Sequence, residues 1–525
     1  MASVEGTGRE GGTTGKSGLK LNRNLLLGFT LTGVFSFANN IYSTNVFPVF
    51  LLKVADGNTL LFGLAEGLQG LAQLVTAFPI GWLADKYKRK YLLWAGGLLW
   101  IIFIGLLAYA TDIATQDSMR SFIILCVALS IGGVTNGIVG GPLMALLDDS
   151  TPAGYRSDME LYYGVIWNIA SIAGPIVSLI SFAEGENEWT MEQMKLIIYI
   201  GCAATVPCII LCIFFDDDLA LGKESEAISR IEGEAAEVLG GRQGDGKKVL
   251  GFITTEMIPW FLFGLNLFFS LGAGMSVKFF PIFFADECGL SPVTLQILYI
   301  ILPSVVVAFT LIATKLSKTW GRMQVIVCFN FLGIGHTLAM ALMRSQYHNA
   351  EVMVTVYLLR CGFQWSTGGL AYSIIADYVP KEYRGRWNTL ESISSFGWSG
   401  SAVLGGHLVK LSGYSTTFLI TAVIQLLGVV LFALPITPLV ALEKDIQKAV
   451  EALKDNEGEL EEPLLGGNEA RSAPRAVVPA SSSIRGLPGM NPTFEETTGE
   501  NGAGASSLSR SLSHLEHVAR IGSLG

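Results

Sequence analysis

Charge is the scarcest commodity in this sequence. Only 15% of its 525 residues are Asp, Glu, Lys or Arg, where a soluble chain carries about a quarter. Half of the residues are hydrophobic and the mean hydropathy is +0.48, so most of the chain must face lipid. Cysteine is sparse as well. Six of the seven cysteines (Cys126, Cys202, Cys208, Cys212, Cys328 and Cys361) fall inside apolar runs, and Cys288 alone reaches a connecting loop. That excludes a disulfide framework, and no spacing suits zinc. No Gly-x-x-x-x-Gly-Lys-(Ser/Thr) loop occurs, so nothing points to ATP hydrolysis. No convergent catalytic set stands out either, so neither an enzyme nor a cofactor is expected. The formal charge of -9 comes from loops and tails, and without a basic stripe no nucleic acid is expected as partner. The first twenty-odd residues lack a short apolar stretch with a cleavage site, so no removable signal peptide is expected.

What the chain does have is long apolar runs. A segment of about 20 apolar residues crosses a bilayer, and twelve such spans can be drawn, at about 25–50, 59–83, 91–110, 120–147, 159–183, 194–215, 257–284, 293–316, 323–343, 351–377, 388–410 and 415–436. The predicted architecture is therefore an all-α membrane protein. Its parts are a tail 1–24, a first bundle 25–215, a polar linker 216–250, a second bundle 251–436 and a tail 437–525. The last tail opens on an amphipathic helix (Leu442, Ile446, Val450, Leu453) and then becomes Ser/Pro/Gly-rich and disordered. Connections on one side hold eleven Lys and Arg, against five on the other. The basic side is the cytoplasmic one by the positive-inside rule, which places both termini in the cytoplasm.

The two halves repeat. Phe47-Pro48-Val49-Phe50 in span one matches Phe280-Pro281-Ile282-Phe283 in span seven, and 281 − 48 = 233. Arg89 falls on Arg322 at the same offset. Asp149-x-x-Pro152-x-x-Tyr155-Arg156 matches Asp377-x-x-Pro380-x-x-Tyr383-Arg384, and 380 − 152 = 228. Gly140-Gly141 and Gly368-Gly369 share that second offset. Two parallel six-span halves related by an axis along the membrane normal are a transporter plan, with a site between them near the midplane.

Between spans two and three stands Gly81-x-x-x-Asp85-Lys86-x-x-Arg89-Lys90. Together with the twelve spans and the duplication, this resembles the major facilitator superfamily over about 25–436. Lys88 stands where that signature usually has Gly, and in the degraded second copy Gly321 and Arg322 survive with Lys318 at the acid's position. The resemblance implies twelve helices in two pseudo-twofold-related bundles that carry out secondary active transport by alternating access. The expected partners are a small organic solute, a coupling proton or ion, and the lipid bilayer, with the chain as a monomer. It also implies a gating role for Asp85, Lys86, Arg89 and Lys90, with Asp85 accepting from the start of helix eleven while the inner side is shut. A non-transporting sensor on the same scaffold is the competing reading.

Polar groups inside apolar spans are costly, and each marks a candidate site. For cargo these are Asn39, Asn40 and Ser43 in span one, Asn136 in span four, Asn266 and Ser270 in span seven, and Arg360, Gln364 and Trp365 in span ten. By resemblance helices one, four, seven and ten line the cavity, although Asn and Ser also serve simply to pack helices closely. Arg360, Lys278 and Glu66 lie at comparable depth. We expect Glu66 to pair with Lys278 when the outside is closed, and Arg360 to meet an anionic group of the cargo. Asp149, Arg156, Asp377 and Arg384 are expected at the inner gate. His336 and His407 read more readily as packing residues than as proton relays. Glu461-Glu462-Pro463-Leu464-Leu465 resembles an acidic dileucine signal, which leaves plasma membrane and vacuolar or lysosomal membrane both open.

Overall fold

Proline fixes where the first and seventh spans break. A helical Pro lacks an N–H and crowds the carbonyl four residues back. Upstream of Pro48 the helix Arg23–Tyr42 stops and a second, Val46–Val54, begins. Upstream of Pro281 the helix Ile258–Ser276 passes through a 3-10 turn, Val277–Phe279, before Phe280–Asp286. The repeat thus recurs as a structural break at matched positions in both halves. The following spans start alike, with Asn58 and Ser291 accepting from the first-turn N–H groups of Leu60 and Thr294, and 291 − 58 is again 233.

The computed structural model describes residues 22–151, 156–185, 187–220, 249, 252–378, 394 and 396–440. The side chains of Asp85, Arg156 and Asp377 lie outside that description. So do Arg384, most of the linker and everything beyond residue 440, including the amphipathic helix and the dileucine sequence. The described chain is helical, with a single isolated β-bridge between Val249 and Ile253. Among the described residues ten helical stretches are long and apolar enough to cross a membrane. Two physical causes reconcile ten with twelve. Spans eleven and twelve run on as one stretch, Phe396–Ile436, turning at Gly413, whose φ of 78° only glycine adopts readily. Span ten is interrupted near Trp365, giving Ala350–Trp365 and Gly368–Tyr378, each too short to count alone.

Burial divides the bundle by depth. Call the end carrying Lys86–Lys90 the basic end and the other the far end. At the far end one hydrophobic core runs through both halves, from Ile41, Phe50 and Phe62 to Phe279, Phe283 and Phe418, with the Phe62 and Phe279 rings meeting edge-on at 5.0 Å. Towards the basic end the described residues form two separate cores. One holds only first-half residues such as Leu25, Trp100 and Leu147. The other holds only second-half residues such as Ile258, Ile326 and Val429. Among the described residues, then, the hydrophobic core is shared between the halves at the far end and separate at the basic end.

Small residues let that fusion happen. Span two (Thr59–Lys86) lies against the far-end half of span eleven so closely that a Cβ on Gly63 would stand 2.4 Å from the Ala402 carbonyl oxygen. A Cβ on Gly406 would stand 2.2 Å from that of Thr59. Thr59 Oγ1 donates to the Gly406 carbonyl across the same seam at 3.0 Å. Glycine permits backbone-to-backbone approach of this kind between membrane helices.

Candidate functional site

The proline breaks place two polar residues where the helix axis gives way. Asn45 and Lys278 occupy the broken turns and are equivalent in the repeat, since 278 − 45 = 233. Each reaches into the opposite half. Asn45 Nδ2 donates to Gln296 Oε1 in span eight, with both residues buried. Lys278 Nζ lies 2.9 Å from Glu66 Oε2 in span two. Gln296 maps by the offset onto position 63, one helical turn from Glu66, so the two bridges are pseudo-symmetric. One is neutral and the other is charged. Glu66 is 3% exposed, which makes the ion pair its means of staying charged so far from water.

The pair borders a cavity of about 660 Å³, open mouth included. Its walls come from spans one, two, three, four and six of the first half, and among the described residues Lys278 is the second half's one contributor. Of the residues expected to meet cargo, Asn39, Ser43 and Asn136 line it, and so do Glu66 and Lys278. Gln69, Tyr42 and Trp100 also line it and were not singled out from the sequence. Gln69 sits one turn after Glu66 and was legible from that spacing.

The other cargo candidates lie elsewhere. Asn40 turns back onto its own helix, its Nδ2 donating to the Ser36 carbonyl at 2.8 Å. Asn266 is exposed and away from the cavity. Ser270 faces Gly397. Gln364 Nε2 donates to Gln425 Oε1 at 2.9 Å inside the second half, and Trp365 is exposed. Arg360 is fully buried. Its Nε faces Thr337 Oγ1 at 3.4 Å and its guanidinium sits 5.0 Å from the centre of the Phe280 ring. The expected depth of Arg360 says nothing of which way it points, and Phe280 and Tyr357 hold it in the second half's interior rather than in the cavity. His336 receives a helix-packing role, with Nδ1 2.7 Å from the Leu332 carbonyl.

At the basic end the loop between spans two and three is tied to its own half. Lys88 adopts φ −59° and ψ 128°, a conformation open to any residue, which explains why glycine is dispensable there. Span three (Arg89–Ile113) has no cap from its own N-cap side chain. Asp217, just beyond span six, supplies it instead, each carboxylate oxygen accepting from a backbone N–H, Arg89 and Lys90, at 2.9 Å. An anion at a helix start also meets the positive end of its dipole. Around this cap Lys88 pairs with Asp218 at 2.7 Å, Lys90 with Asp216 at 3.0 Å, and Arg89 with Asp149 at 2.6 Å. The hydrogen bond from Lys90 holds the Asp216 carboxyl below its usual range, and the partner carboxylates raise Lys88 and Lys90. Lys86 instead lies 3.7 Å over the Trp82 ring. The Asp216–Asp218 triplet was read only as the start of a linker.

The description of the Major Facilitator Superfamily matches residues 29–390. The chain belongs to that superfamily. It is a multi-pass membrane protein of a transporter family. Curated relatives include the inner membrane transport protein YajR of Escherichia coli K12, 30% identical over 137 residues (25% of this chain, 28% of that protein). An uncharacterized transporter of Buchnera aphidicola (subspecies Schizaphis graminum) is 32% identical over 131 residues, 24% of this chain and 31% of that one. The matched stretch thus spans under a third of either relative. Among solved structures, a D-xylose-proton symporter superposes with a TM-score of 0.58 at 13% identity, covering 80% of this chain and 97% of that one. A bacterial homologue of the iron transporter ferroportin, in an inward-facing state, gives 0.57 at 14% identity, covering 80% and 99%. At such identities the likeness is one of fold.

Proposed function

We propose that this protein is a proton-coupled secondary transporter that moves a small organic solute by alternating access. The observation that carries the reading is the Glu66–Lys278 pair, which joins the two halves where they are fused and at the same time borders the cavity. A proton arriving at Glu66 cancels its charge and with it the attraction across the seam. The far end can then part, while Asn45–Gln296 acts as a hinge pin indifferent to protons. With the basic end cytoplasmic, as the distribution of Lys and Arg supports, the described state is closed to the outside and both termini lie in the cytoplasm.

In this reading Glu66 and Lys278 form the outer gate. The loop Lys86–Lys90 with Asp149 braces the first half as a rigid body, and Asp85, Arg156, Asp377 and Arg384 belong to the inner closure. One chain supplies both halves of the pathway, which supports a monomeric unit. The idea of an anionic cargo rested on Arg360 facing the pathway, and it is set aside because Arg360 lies inside the second half. The test is counterflow in proteoliposomes with an imposed pH gradient. Accumulation of labelled solute driven by that gradient in wild type, and exchange without gradient-driven accumulation in an E66Q/K278M protein, is the expected result. A wild type that binds solute and never exchanges it would be a sensor, not a carrier.

A further inference from the structure

Three carboxamides converge on the cavity with nothing to bond to. Asn39, Gln69 and Asn136 come from spans one, two and four, and the hydroxyl of Ser43 stands one turn from Asn39. None of these four side chains hydrogen-bonds to a described residue, although most other buried or half-buried amides in the bundle do, Asn24, Asn45 and Gln364 among them. They are half-buried and open to the cavity, so a solute there would take the place of water as their hydrogen-bond partner. Beside them Trp100 lines the cavity, its ring centre 5.5 Å from that of Phe35.

Resting on the transporter reading above, we infer that this first-half cavity binds an uncharged solute through a vicinal diol. The electrical argument comes first. The two charges on the cavity wall, Glu66 and Lys278, already neutralise each other at 2.9 Å. A charged solute would therefore enter without a counter-charge and would carry its full desolvation cost. Hydrogen-bond chemistry then narrows the class. A carboxamide offers donors and acceptors side by side, and a hydroxyl is both donor and acceptor. Adjacent hydroxyls on one solute match a carboxamide in both senses at once. The indole face suits either the C–H face of a sugar ring or a flat base. Free sugars and nucleosides both present such a diol, so the chemistry is shared and the source is for experiment. Recognition is also one-sided among the described residues, where the second half contributes only Lys278.

The test uses the full chain in lipid nanodiscs, titrated by isothermal calorimetry and thermal shift with glucose, uridine, 2′,3′-dideoxyuridine, succinate, choline and glycine. Glucose or uridine is expected to bind, and which of the two does so identifies the source. Dideoxyuridine, succinate, choline and glycine are expected to fail. Asn136→Ala and Gln69→Ala should each weaken the binding about 5- to 10-fold, the worth of one neutral hydrogen bond. Circular dichroism and unchanged melting of the ligand-free variants guard against a folding defect. Binding confined to succinate, choline or glycine, retention of affinity in both Ala variants, or silence across glucose and uridine overturns the inference. Exchange of a charged solute alone would sink the diol and leave the transporter reading intact, whereas diol binding without any exchange would do the reverse.

Discussion

Removing Lys278 should do more damage than removing Glu66, and the geometry says why. Glu66 is 3% exposed, whereas the Lys278 side chain keeps 26% of its surface towards the cavity. In K278M a carboxylate is stranded in a dry seam, which costs about 3–5 kcal/mol while it stays ionised. At 1.4 kcal/mol per decade, the far-end-closed population falls roughly 10²- to several times 10³-fold relative to the open one. In E66Q the stranded ammonium can be hydrated from the cavity, and the loss lies between that of exposed and buried pairs, about 1–3 kcal/mol. E66Q/K278M, which carries neither charge, should close again. The measurement is a distance distribution between spin labels at Glu184 and Arg344, exposed positions of the two halves at the far end. The partly accessible Cys126 and Cys328 would first be replaced by alanine. If K278M gives the wild-type distribution, the pair does not hold the gate and the reasoning is wrong.

Other outcomes follow from the same geometry. Gln296→Ala leaves Asn45 buried without its partner and should loosen the far end by about 1–3 kcal/mol, equally at pH 5 and pH 8 in the spin-label distances. Asp217→Ala uncaps span three, and a loss of about 1 kcal/mol should appear as a lower melting temperature with little change in solute affinity. The tether around it has its own pH window. Asp216 is lowered from 3.8, so its contribution is present above that value and lost as pH falls through the folded one. Lys88 and Lys90 are raised from 10.5, so theirs is present below that value and lost only as pH rises through the folded ones. Melting of D216N should therefore track wild type with a constant offset between pH 5 and pH 8, and any slope in that window belongs to another group. Gly63→Leu forces a side chain into the Ala402 backbone and should shift the labelled population towards an open far end, where Gly81→Leu, with open space around it, should not.

Much of the fold was legible because lipid makes span length and the positions of Lys and Arg informative, and because a duplicated Pro48/Pro281 motif repeats its backbone consequence. The pairing of Glu66 with Lys278 could be anticipated from comparable depth together with the outer-gate position that the resemblance implies, although Arg360 lay at the same level. Depth was insufficient for Arg360, whose direction is decided by Phe280, Tyr357 and Thr337, contacts that no periodicity announces. Span ten misled for a related reason: its interruption at Trp365 turns Gln364 towards Gln425 and leaves Trp365 outside. The Asp217 cap joins residues 128 positions apart, and only the folded path brings that acid to the start of span three. The one-sided cavity was hidden because a symmetric repeat suggests symmetric walls.

The continuous far-end core has a thermal consequence. Parting it wets Phe62, Phe279 and their neighbours, and the aversion of such surface for water weakens on cooling. In the proposed cycle the state with the far end open is then the greasier one, and chilling should favour it while warming resists it.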